Sequence, residues 1–190
     1  MPATPEKSRP IVVFGAGVLG RRIAGVFLAG GYTVHVHDLS QQALTDASTF
    51  LKHDLASFTA LASSSSSSLT SFQTFTDIGP AVQNAWLVVE AVPEKLELKI
   101  ETFATLDKHA PADCIFASNS SSFRSGLMVE KLGTERRERT LNVHFTSPPE
   151  IRTVELMTDG VTREEVFEVV SEVLRECGVV PVTARKESTG

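Results

Sequence analysis

The feature that most restricts the fold is a change of hydrophobic period within ten residues. Ile11 to Phe14 is a short β-branched and aromatic run that stops at Gly15. From Leu19, apolar residues return at Leu19, Ile23, Val26, Phe27 and Gly30, the spacing of one helix face. Between the two lies Gly15-Ala16-Gly17-Val18-Leu19-Gly20. Gly30 and Gly31 stop the helix, and Tyr32 to Val36 reads as a second strand that delivers Asp38 at its carboxyl end. Strand, glycine loop, helix and strand make a βαβ unit.

Each glycine in that loop has a task that a side chain would spoil. Gly15 allows the tight turn, Gly17 lets backbone approach a pyrophosphate, and Gly20 lets the helix pack on its strand. The helix N-terminus presents free amides and the positive end of its dipole to phosphate. Gly15, Gly17, Val18, Leu19 and Gly20 are therefore expected to line a dinucleotide, with Asp38, about 20 residues on, binding a ribose diol. A carboxylate at Asp38 repels a 2′-phosphate and Leu39 offers no charge to neutralise one, so NAD is expected rather than NADP. No Lys followed by Ser or Thr succeeds the glycines, which removes a triphosphate P-loop.

Strands and helices continue to alternate. Ser40 is positioned to cap a helix with its stripe at Leu44, Ala47, Leu51, Leu55 and Phe58, fading into the serine run Ser63 to Ser68, read as a loop. Phe72 to Phe75 and Trp86 to Val92 read as strands, and Lys95 to His109 as a helix with Leu96, Ile100, Phe103 and Leu106 inward. Cys114 to Ser118 is a strand, Ser125 to Leu132 a helix, and Thr140 to Phe145 and Val154 to Met157 are strands. Thr162 and Glu165 form a capping box before Val166, Val169, Val170, Val173 and Cys177, and Val179 to Val182 is the last strand. Strands without polar alternation, separated by helices, predict an α/β fold of Rossmann type: a doubly wound, mainly parallel sheet with helices on both faces. The organisation expected is a flexible leader over residues 1–10 and one domain over 11–190.

Composition excludes several classes of partner. Eighteen Lys and Arg against 23 Asp and Glu give a formal charge of −5 with no strongly basic block, which argues against nucleic acid. No apolar stretch approaches the roughly 20 residues that span a bilayer, and the N-terminus lacks the apolar core of a signal peptide. No membrane partner is expected, and a cytoplasmic location is. Cys114 and Cys177 read as buried thiols of a reducing compartment. His35, His37, His53 and His109 have no metal-ligand spacing, so no metal site is expected.

Three further segments carry a resemblance: Glu90-Ala91-Val92-Pro93-Glu94-Lys95-Leu96-Glu97-Leu98-Lys99, Ala117-Ser118-Asn119-Ser120-Ser121-Ser122, and His144-Phe145-Thr146-Ser147-Pro148-Pro149 with Val154-Glu155. With the glycine loop, their order resembles the N-terminal NAD-binding domain of the L-3-hydroxyacyl-CoA dehydrogenase family from Ile11 to Gly190. The resemblance implies that Glu94 and Lys99 lie near the nicotinamide half of the cofactor, that Ser121 contacts substrate and cofactor, and that His144 and Glu155 form the catalytic pair. Chemistry agrees: oxidising a secondary alcohol needs a base for the hydroxyl proton, and a histidine suits neutral pH. A carboxylate would fix its tautomer. Read by alternation alone, Glu155 fits equally the solvent face of its strand.

The chain also departs from the family pattern. Ser147 precedes Pro148 where the family has Asn, and the His144 to Glu155 segment is one residue short. A deletion in the connecting loop keeps Glu155 on the face of His144, whereas one inside a strand turns it away. The helix after Asp38 has Lys52 and then, past His53 and Asp54, mainly apolar residues and the serine run where the family carries lysines that meet coenzyme A. The substrate expected is a 3-hydroxyacyl-CoA, with a non-CoA hydroxy acid or sugar acid of gulonate type, or a non-catalytic NAD-binding role, as alternatives. In the family a helical domain follows, supplies an Asn, closes over substrate and dimerises, so a homodimer is expected only with that domain, and the chain to Gly190 alone is expected to turn over poorly.

Overall fold

The computed structural model describes residues 6–62 and 71–184. Eight strands form one sheet: β1 (Ile11–Phe14), β2 (Val34–His37), β3 (Phe72–Phe75), β4 (Leu87–Glu90), β5 (Ile115–Ser118), β6 (Thr140–Phe145), β7 (Thr153–Met157) and β8 (Val180–Thr183). Their order is β3-β2-β1-β4-β5-β6-β7-β8. Every neighbouring pair is parallel except β6 and β7, which run antiparallel. The expected Rossmann architecture is what the chain adopts. Its order reverses between β1 and β4, and ligands of open α/β sheets bind at that switch, beyond the strands' carboxyl ends.

Helices cover both faces: α1 (Val18–Ala29), α2 (Gln41–Thr59), α3 (Ile78–Val82), α4 (Leu96–His109), α5 (Ser125–Met128), α6 (Thr134–Arg137) and α7 (Glu164–Glu176). Successive strand residues point to opposite sides, and the buried core divides accordingly. Ile11, Val13, Leu87, Val89, Ile115 and Ala117 join α1, α2 and α7 on one face. Val12, Val88 and Phe116 join α3, α4 and α5 on the other. The apolar stripes read from the sequence are buried at Leu44, Ala47, Leu51 and Phe58 on α2 and at Val166, Val169, Val170 and Val173 on α7. Cys114 and Cys177 are buried, and burial pushes the Cys114 thiol up to about 12.

Several local expectations are corrected. The second strand is Val34–His37, two residues later than expected, and the fourth ends at Glu90, because Ala91 to Pro93 turn into the groove described below. The fifth helix stops at Met128, and the short helices α3 and α6 carry no periodic stripe long enough to announce them. Thr162 does not cap α7: its hydroxyl donates to Thr140 O at 2.5 Å, and Arg163 is the capping residue without a side-chain bond. On α4 the buried positions include Lys99 and Thr102, while Ile100 is only half-buried. Residues 6–10 are tied down rather than loose. Lys7 Nζ donates to Gly30 O at 2.7 Å, and Arg9 forms a two-pronged pair with Asp113 at 2.8 and 3.1 Å. The rest of the expected leader, residues 1–5, and the serine run lie outside the described residues.

Candidate active site and cofactor groove

Beyond the carboxyl ends of β1, β2 and β4 lies a cavity of about 600 Å³ lined by Phe14, Gly15, Gly17 to Gly20, His37 to Leu39, Ala91 to Pro93, and the first turns of α4. The loop is as tight as its glycines require. Gly15 has φ +116°, and a Cβ there would stand 2.6 Å from Ala91 O. A Cβ on Gly20 would sit 1.9 Å from Gly15 O, so the helix can only approach the loop without one. At Gly17 the reverse holds: a Cβ would meet nothing within 4 Å. That position faces open space, and Gly17 caps α1 without a side-chain bond or an acidic residue in the first turn. The first amides of α1 therefore remain available for an anion.

Asp38 braces the loop. Its Oδ2 accepts from Ala16 N and its Oδ1 from Ser40 N, each at 2.8 Å. Val18 and Leu39 present exposed apolar surface at the groove. His37, given no part by the sequence, also lines it, stacked on Phe14 with ring centroids 4.2 Å apart and its pKa lowered by burial.

A second cavity of about 390 Å³ continues from the first through shared walls at Leu19, Ala91 and Val92. It is lined by Glu94, Lys99, Asn119, Ser121, His144, Phe145 and Thr146. Its wall is built on a buried carboxylate that sequence reasoning passed over. Glu90, fully buried at the end of β4, accepts from Lys99 Nζ at 2.8 Å, Val92 N at 2.7 Å and Ser118 Oγ at 2.7 Å. The signal was a carboxylate closing an otherwise apolar strand. Lys99 also pairs with Glu94 at 3.1 Å and reaches Val92 O at 3.4 Å, which engages all three ammonium protons. Burial alone would raise the Glu94 pKa. Bonds from the Ser120 hydroxyl and the Ser122 amide, with Lys99, hold it below its ordinary value instead.

His144 and Glu155 face each other across the antiparallel pair, in register on β6 and β7. His144 Nδ1 and Glu155 Oε2 are 2.9 Å apart. The missing residue therefore falls in the loop and not in a strand. That loop is held against α1 by Arg22, whose Nη1 donates to Pro148 O at 2.7 Å and to Glu150 at 2.5 Å. With Nδ1 engaged, the other ring nitrogen of His144 is left for the cavity. Ser121 is exposed at the same cavity. Every sequence-selected residue thus lies on one continuous groove except Glu155, which reaches it through His144. Among the described residues no group of His, Cys, Asp or Glu could hold a metal, and no helix is long and apolar enough to cross a membrane.

A glycine loop at the switch point, an open helix terminus and an acidic residue after the second strand define a dinucleotide-binding domain of the oxidoreductase class. Residues 10–188 match the family described as "3-hydroxyacyl-CoA dehydrogenase, NAD binding domain", and the chain belongs to that family, with NAD as its cofactor. It is 32% identical over 185 residues to the mitochondrial hydroxyacyl-coenzyme A dehydrogenase of Rattus norvegicus, covering 92% of this chain and 58% of that protein. It is 30% identical over 186 residues to 5-formyl-3-hydroxy-2-methylpyridine 4-carboxylate 5-dehydrogenase of Mesorhizobium japonicum, covering 96% and 59%. A solved diketoreductase structure superposes with a TM-score of 0.84 at 31% identity, over 98% of this chain and 67% of that one. The chain thus spans a little under three-fifths of the curated relatives' length.

Proposed function

We propose that this chain is the cofactor-binding part of an enzyme that interconverts a 3-hydroxyacyl-CoA and its 3-keto form, with His144 as the proton-transferring base. The observation that carries the reading is the 2.9 Å pair of His144 and Glu155 beside the narrower cavity. Bound NAD supplies the hydride acceptor. The residues of the chain do the rest. Gly15, Gly17, Val18, Leu19 and Gly20 hold the pyrophosphate, and Asp38 holds a ribose diol by turning its loop-bracing oxygens outward or sharing them. Glu94, oriented by Lys99 and the serine segment, meets the nicotinamide half. Ser121 positions the substrate hydroxyl. His144 takes the hydroxyl proton on Nε2 as the C–H bond breaks with both electrons toward the cofactor, and Glu155 stabilises the imidazolium through Nδ1.

A non-CoA substrate is the second reading. The Mesorhizobium relative acts on a pyridine carboxylate and the structural relative on dicarbonyl compounds. Ser147 in place of Asn and the lack of any further lysine between Lys52 and Lys95 favour a departure from the thioester. We take residues 11–190 as the cofactor domain and infer that closure over the substrate, and any dimerisation, belongs to the further length its relatives have. The test is NADH formation by the full-length protein offered NAD with 3-hydroxybutyryl-CoA and, in parallel, a panel of free hydroxy and sugar acids. The thioester alone being oxidised supports the first reading, and free acids alone the second. His144→Ala is expected to lower kcat by about 10²–10⁴-fold with NADH binding unchanged. Unchanged turnover in that variant removes His144 from the chemistry, and no turnover by the wild type with NADH still bound leaves a non-catalytic role.

A further inference from the structure

The carboxamide of Asn119 is committed at one corner and open at the other. Asn119 follows β5 and is 9% exposed. Its Oδ1 accepts the backbone amide of Phe145, the residue after His144, at 2.8 Å. A backbone amide can only donate, so the atom facing it is the oxygen and the opposite corner is the NH₂ group. Among the described residues no acceptor pairs with that nitrogen, and it is absent from the buried polar atoms left without partners. Asn119 lines the cavity together with Ser121 and His144. The Lys99 and Glu94 side chains of that cavity are occupied: Lys99 by Glu90, Glu94 and Val92 O, and Glu94 by Ser120, Ser122 and Lys99. The hydroxyls of Ser121 and Thr146 rotate, whereas the Asn119 donor is fixed by its own brace.

We propose that Asn119 Nδ2 donates a hydrogen bond to the oxygen on the reacting carbon of the substrate and is a catalytic residue of the reaction. This rests on the proposed dehydrogenase chemistry at His144. As the C–H bond breaks, its electron pair leaves with the hydride for the cofactor, and the O–H proton passes to His144. The oxygen carries alkoxide character until the C=O bond is complete. A neutral donor that cannot give up its proton, and is already aimed, stabilises that charge without reorganising. The same atom serves the reverse direction, where a ketone oxygen gathers charge as hydride arrives.

Two substitutions separate the brace from the donor. Asn119→Asp keeps the oxygen that accepts from Phe145 N, turns the opposite corner from a donor into an acceptor and adds a negative charge there. In the full-length protein, with 3-hydroxybutyryl-CoA or whichever free acid proves active, its kcat is expected to fall by about 10²–10³-fold while the NADH dissociation constant stays at the wild-type value. Wild-type kcat in Asn119→Asp, with only Asn119→Ala impaired, reduces the residue to a strand brace and overturns the proposal. Loss of NADH affinity in step with kcat assigns the donor to the nicotinamide instead, and also overturns it. If Asn119→Asp does not fold, Asn119→Ala is read by its pH profile: kcat lost with NADH binding and the pH dependence of kcat both retained supports the assignment, whereas kcat retained, or a pH profile displaced because His144 has moved with the unbraced Phe145, overturns it. Silence of the wild type on every substrate removes the dehydrogenase reading and this one with it, whereas an active wild type beside an unimpaired Asn119→Asp removes this one alone.

Discussion

The two halves of the groove are built by opposite strategies. The wider half takes its loop, brace and apolar lip from residues 14–20 and 37–39, one βαβ unit, with α4 closing the far side. The narrower half draws Leu19 from α1, Glu94 from the β4–α4 connection, Lys99 from α4, Ser121 from the turn after β5 and His144 from β6. The first is held by backbone: glycine close approaches and amides. The second is held by side chains that bond one another across elements far apart in sequence. A local backbone motif survives single side-chain changes well, whereas a buried polar network fails as a unit when one member is left unpaired.

The sharpest way to break the second half is to remove a charge at its centre. Lys99→Met leaves Glu90 buried without its ammonium partner, and loss of one member of a buried pair costs about 3–5 kcal/mol. Urea denaturation should register that loss. A stability within about 0.5 kcal/mol of wild type, the scatter of ordinary surface changes, would remove the network from the list of stabilising features. The first half should yield less. Asp38→Ala frees the amides of Ala16 and Ser40 and removes the diol acceptor. Bonds to a charged group contribute about 1.5–3 kcal/mol each, so NADH affinity measured by fluorescence should fall roughly 10–100-fold, with kcat at saturating NAD unaltered. A drop in kcat at saturation would mean that the two halves are coupled.

The smallest effect is pH-dependent. Glu94 has a folded-state pKa below its ordinary 4.5. Between those two values the unfolded chain binds more protons than the folded one, so stability rises with pH there. The contribution is fully present above the ordinary value and is lost as pH falls through the folded one. The urea midpoint should therefore decline from pH 5 toward pH 3, and Ser120→Ala, by removing one of the bonds that lower the pKa, should flatten the decline. An equal slope in the variant would assign the acid sensitivity to other carboxylates.

This division also explains what could be read in advance. The βαβ unit, the parallel sheet and the stripes of α2 and α7 follow from period and glycine placement, which are local properties of the chain. The joint placement of His144 and Glu155 depended on where one missing residue fell, and periodicity cannot locate a deletion. Only the pairing of β6 with β7 does. The inward stripe read for α4 leaves out Lys99, because its counter-ion, Glu90, is nine residues away on a strand and nothing in local sequence says that the two meet. Nothing local sets Asn119 apart within its serine segment, since its meaning lies in a bond to a strand 26 residues on. The capping box failed for a related reason: Thr140 O competes for the Thr162 hydroxyl. A side chain serves whichever acceptor the tertiary fold brings nearest.

The anchoring of residues 6–10 has a practical corollary. Lys7 ties this segment to the end of α1 and to Glu176 on α7, and Arg9 ties it to Asp113 and to the carbonyls of Asn84 and Ala85 that lead into β4. Gly30, Asn84, Ala85 and Asp113 lie at the amino ends of β2, β4 and β5, opposite the groove. The segment works as a drawstring on the blunt end of the domain. A protease nick or a fusion junction placed there would loosen the floor while leaving the ligand-facing rim intact, so cofactor titration is a poor assay for an undamaged N-terminus.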